Sequence, residues 1–108
     1  MVEEVQRRTG KDLEACRRIL NSPSLDEYWE LTGDGPSDEF EQRDSVELDP
    51  TFAPVLLRAT LEAEEAVRER GDYGHCFVFW GCKKRILRKR YGVRWQDPAD
   101  LNPENDYD

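Results

Sequence analysis

Three short stretches of helical periodicity, each with its own opening and closing signal, fill the first 33 residues of this 108-residue chain. Val2 and Val5 stand one turn apart. Gly10 follows them, where a left-handed residue ends a helix. Asp12 is placed as the N-cap of a second stretch, whose Leu13, Cys16, Ile19 and Leu20 share a stripe while Arg17 and Arg18 point out. Ser24 and Glu27 make a Ser-x-x-Glu capping box ahead of Leu25, Tyr28 and Trp29, and Gly33 can close that third helix. Units below roughly 40 residues bury too little surface to fold alone. Tyr28 and Trp29, large for such a unit, are therefore expected to pack against the C-terminal half and make one domain.

The run from Val2 to Leu20 carries a more specific pattern: Val2 and Val5, then Arg8-Thr9-Gly10, Leu13, Cys16, Arg17-Arg18 and Leu20. It resembles, without a gap, the ubiquitin-associated (UBA)-like domain that opens bacterial elongation factor Ts. The resemblance covers about 20 residues closely and residues 1–33 loosely. It implies a three-helix docking module in a bacterial or phage-encoded protein, with the contact at the turn Arg8, Thr9, Gly10 and Lys11. In that family the module contacts the GTPase domain of elongation factor Tu. The segments that exchange nucleotide have no counterpart here, so exchange activity is not implied. The third helix departs from the family, with Tyr28 and Trp29 at commonly smaller positions and Pro23 in the preceding turn.

Beyond residue 33 the pattern changes. Residues 34–50 hold seven acidic side chains and one basic one, interrupted by Gly, Pro and Ser, which predicts an acidic, partly mobile linker pinned at points by Phe40, Val46 and Leu48. A fourth helix is expected to start near Asp49-Pro50-Thr51 and run to Arg70, with Leu56, Ala59, Ala63 and Ala66-Val67 on one stripe. A fifth runs from about His75 to Tyr91, closed by Gly92, with Val93 and Trp95 folding back. Cys76–Trp80 also has strand propensity. Helix is favoured because Phe79, Trp80, Ile86, Leu87 and Tyr91 share a helical face and a lone strand has no partner. Residues 51–95 thus form a helical hairpin packed with 1–33, and residues 96–108 an irregular acidic tail. The expected fold class is all-α.

Charge is sharply segregated. Residues 76–95 carry seven basic side chains and no acidic one, in a chain whose formal net charge is −8. On a helix, Lys84, Arg85, Arg88 and Lys89 fan away from the apolar face. That arrangement suits a phosphate backbone, with Tyr91 and Trp95 as stacking surfaces, and makes RNA or ribosome contact the alternative function. The competing reading is a solvated face whose cations oppose the negative helix end. Lys83 and Arg90 fall inside the apolar arc, so each is expected to pair with an acid such as Glu62, Glu65 or Glu69 on the fourth helix. A further alternative treats the carboxylates of 34–49 and 97–108 as a nucleic-acid mimic.

Three cysteines, an odd number, do not make a disulfide scaffold. Cys76 and Cys82 lie 240° apart round a helix, so with His75 they are not expected to converge on a metal. A single His, with no nucleophile triad, phosphate loop or HExxH, leaves no catalytic site to predict. No cofactor is expected. The run Cys76–Cys82 is far short of the roughly 18 apolar residues of a membrane span, and Glu3, Glu4 and Arg7 behind Met1 do not make a signal peptide. The expectation is a cytoplasmic, noncatalytic adaptor or regulator that binds one protein partner.

Overall fold

The computed structural model describes residues 1–33, 43–71 and 76–104, and these are all-α. The helices are α1 (Val2–Thr9), α2 (Leu13–Asn21), α3 (Leu25–Thr32), α4 (Ala53–Glu69), α5 (Cys76–Tyr91) and a single turn, α6 (Pro98–Leu101). The caps that separate the first three act as their residue types dictate. Gly10, at φ 72°, ends α1 and donates its N–H to the Gln6 carbonyl at 2.8 Å. Asp12 Oδ1 accepts from the Ala15 N–H at 2.8 Å. Ser24 and Glu27 complete the capping box in both directions, at 3.1 and 3.0 Å.

Packing then joins the two halves of the chain. Val5, Ile19, Leu20 and Tyr28 from the first three helices share one buried cluster with Leu56, Leu57 and Ala59 of α4, Leu87 of α5 and Trp95. Ala59 and Ala63 are fully buried, and small side chains there let α4 and α5 approach closely. Cys82 completes a satellite cluster with Ala63 and Val67. Residues 76–80 are helical, so the strand propensity of that run yields to α5's packing on α4.

Two expectations need correction. The acidic connection is not loose where it is described: Ser45–Leu48 and Pro50–Phe52 form successive 3-10 turns, and Glu47 is buried. Residues 34–42, with Phe40, lie outside the described residues. The fourth helix consequently begins at Ala53. Asp49 and Pro50 cap the preceding 3-10 turn, where Asp49 Oδ1 accepts from the Thr51 N–H at 3.0 Å. The tail is also ordered at its start. Asp97 and Asp100 form a second reciprocal capping box around α6, and Asn102 is buried. Short 3-10 turns and four-residue helices carry no apolar period, so composition alone reads them as loop. No helix among the described residues is long and apolar enough to cross a membrane.

Candidate functional site

The turn after α1 is engaged inside the fold. Arg8 donates from Nε to Glu4 Oε1 at 2.9 Å and from Nη1 to the Leu31 carbonyl at 2.8 Å, and Nη2 binds Glu64 on α4. One guanidinium thus fastens α1 to α3 and α4. Thr9 donates its hydroxyl to the Val5 carbonyl at 2.8 Å and accepts the Lys11 N–H at 3.2 Å. Gly10 serves as the cap. Lys11 is exposed and forms no ion pair among the described residues. A shallow groove of about 330 Å³ beside this turn is lined by Arg8, Thr9, Lys11, Glu27, Glu30 and Leu31, with Ile19 at its floor. The hydrogen bond from Arg7, then that from Arg8, overcomes partial burial and lowers the Glu4 carboxyl to about 2.

The most concentrated polar chemistry is sealed in the core. Lys83 is 1% exposed and Glu47 3%. Lys83 Nζ donates to the Tyr28 hydroxyl at 2.8 Å and to Glu47 Oε1 at 3.4 Å. It also lies 4.6 Å from the Trp95 ring centroid and 5.5 Å from that of Tyr28. Tyr28 donates to Glu47 Oε2 at 3.1 Å and Trp95 Nε1 to Glu47 Oε1 at 2.9 Å, with Arg43 Nη1 3.8 Å from Glu47 Oε2. A buried carboxylate needs this many donors, because unpaired charge in a low-dielectric interior is expelled or neutralised. The expected partner of Lys83 on α4 is therefore corrected: the acid is Glu47, from the presumed linker. Arg90 does pair with α4, through Glu62 at 2.7 Å. Buried together, Lys83 and Glu47 tie the Ser45–Leu48 turn to α3, α5 and Trp95.

A third arrangement is open. Gly92, at φ 66°, ends α5, and the Val93 N–H reaches back to the Leu87 carbonyl at 3.0 Å. That turn lays Val93, Arg94 and Trp95 alongside the helix. Between them runs a groove of about 760 Å³ lined by Lys84, Arg85, Arg88, Lys89 and Arg94, with Gly81, Val93 and Trp95 completing its walls. The sequence pattern named the first four cations. Arg94 it missed, although its place beside the folding-back Trp95 was the available signal. Lys84 is the one that is committed, at 3.0 Å from Asp97 and 2.7 Å from Asp100. The Asp100 hydrogen bond is the main reason its ammonium is held above the usual lysine range, against partial burial. Arg85, Arg88, Lys89 and Arg94 have no carboxylate partner among the described residues. Trp95 is only 6% exposed and its N–H is bound to Glu47, which removes it as a base-stacking surface.

The remaining sequence candidates fall elsewhere. Asp97 and Asp100, counted among the carboxylates of a nucleic-acid mimic, are drawn onto Lys84, and Asp44 accepts the Gln96 N–H at 2.8 Å. Residues 105–108 and His75 lie outside the described residues. Among those described, Cys16 and Cys82 are free and buried, and no three His, Cys, Asp or Glu side chains group as metal ligands would. No protein-family model matches the chain, and comparison with curated proteins and with solved structures yields no match.

Proposed function

We propose that this protein is a noncovalent adaptor or regulator, cytoplasmic and without chemistry of its own, that docks one protein partner in the cationic groove between α5 and residues 93–95. The observation that carries this reading is the state of four side chains. Arg85, Arg88, Lys89 and Arg94 stay unpaired among the described residues, in a chain with 24 acidic and 16 basic side chains. Arg8, Arg18, Lys83, Lys84 and Arg90 each hold a carboxylate, while Lys11, Arg17 and Arg68 hold none among the described residues but do not line this groove. Cations kept clear of a surplus of acids form a ready surface for an anionic partner.

The UBA-like resemblance supports docking as the kind of function. The turn it nominates is a weaker contact surface, because Arg8, Thr9 and Gly10 are spent on internal bonds and Lys11 alone is left to meet a partner. An RNA partner is the second reading, favoured by the same four cations. Capture of the tagged protein's partners from its host lysate, with and without RNase, separates the two. One dominant protein that survives RNase is expected. Ribosomal proteins or RNA that vanish with RNase would move the function to nucleic acid.

A further inference from the structure

The groove does not end at its cationic floor. Gly81 stands exposed at its N-terminal edge, and a Cβ built there would meet nothing within 4 Å, so that end of the groove is open and uncrowded. One turn further along the same stripe is Phe77, which is 54% exposed. Its ring is held edge-on to Trp80, with centroids 5.8 Å apart at 85°. Residues 77, 81, 85 and 88 succeed one another at steps of four, four and three, so they form one stripe about 16 Å long at 1.5 Å per residue. An exposed aromatic, an open glycine step and the unpaired Arg85 and Arg88 thus lie on one face.

Resting on the docking role of this groove, we propose that its occupant is an acidic amphipathic helical segment of the partner protein. Its carboxylates meet Arg85, Arg88, Lys89 and Arg94, and one apolar side chain lies over Gly81 against Phe77 and Trp80. Three of the four cations are arginines, whose planar forks take carboxylates two bonds at a time. A partner helix presents residues at the same spacing as α5, so about three of its turns span the line. Single-stranded nucleic acid fits less well. It needs aromatics interleaved with cations, whereas here the exposed aromatic is at one end, Trp95 is buried and Tyr91 is half-buried against the core. The fixed Phe77–Trp80 pair instead suits an anchor, the part of an interface that holds most of the binding energy.

The test is fluorescence anisotropy with labelled synthetic probes and the full chain. One probe is a helical peptide about four turns long, with glutamates along one stripe and a leucine one turn beyond them. A second has serine for that leucine, and a third is oligouridylate. The leucine peptide is expected to bind the unmodified protein at least about tenfold more tightly than the serine peptide. Phe77→Ala should remove that difference and leave the serine peptide unaffected, while Arg88→Glu should weaken both peptides. Phe77 and Arg88 are exposed, so neither change reaches the core. Equal binding of the two peptides, or no effect of Phe77→Ala, would overturn the anchor while the cationic groove stands. Oligouridylate bound more tightly than either peptide would overturn the acidic-segment assignment in favour of nucleic acid. Failure of both peptides to bind would overturn that assignment outright.

Discussion

Lys83 connects a local anomaly to the whole fold. Its position inside the apolar arc of α5 is visible in the sequence, and the need for an acidic partner follows from the cost of burying an ammonium. Which acid answers is not visible, because Glu47 sits in a segment with no period and 36 residues away. Lys83→Met keeps the stem and removes the charge, leaving Glu47 buried without its closest cation. The expected loss is about 3 kcal/mol or more of unfolding stability, read as a lower urea midpoint at unchanged slope. A loss under about 1 kcal/mol would equate the pair with a surface bridge. Glu4 supports a pH prediction at the same scale. Its folded carboxyl lies near 2, below the ordinary 4.5. Its contribution to stability is therefore complete above pH 4.5 and fades as pH falls through 2. Thermal midpoints followed across that window should fall less steeply in Glu4→Gln than in the unmodified protein.

At the scale of elements, the helices were legible wherever caps and periods coincide. Asp12, Ser24-x-x-Glu27 and the alternation of Leu and Ala in α4 each predict what forms. The 3-10 turns Ser45–Leu48 and Pro50–Phe52 were not legible, since Pro and acidic residues without an apolar period read as loop until Glu47 is seen receiving Tyr28, Lys83 and Trp95. The same holds for the turn after α1. The pattern Arg8-Thr9-Gly10 is plain in sequence, but Glu64, which binds Arg8, comes from a helix 56 residues on. The Gly92 turn is the element that builds the groove. Ala at its φ of 66° costs about 1–2 kcal/mol in backbone strain, and nothing lies within 4 Å of the added Cβ to worsen or relieve it. Gly92→Ala should lower the unfolding midpoint accordingly and also weaken partner capture, because Val93–Trp95 form the groove wall. Lower stability with undiminished capture would separate the turn from docking.

At the scale of the molecule, the charge distribution carries the account. In an acidic chain, Arg7, Arg8, Arg18, Arg43, Lys83, Lys84 and Arg90 enter internal ion pairs, while Arg85, Arg88, Lys89 and Arg94 gather along one groove with no carboxylate partner among the described residues. The basic run was legible as a run; that Lys84 is committed and Arg94 recruited depends on how residues 93–100 return along α5. Docking through such a surface should weaken as salt rises, because exposed charges are screened over about 8 Å at physiological ionic strength. Partner capture that is indifferent to salt would point to an apolar surface instead. The most direct measurement is side-by-side capture from RNase-treated host lysate by the unmodified protein, Arg85→Glu/Arg88→Glu/Arg94→Glu and Lys11→Glu, each checked for an intact unfolding transition. Loss of the captured protein with the triple reversal and its retention with Lys11→Glu is the predicted result. Retention with the triple reversal and loss with Lys11→Glu would contradict the groove and return docking to the turn after α1.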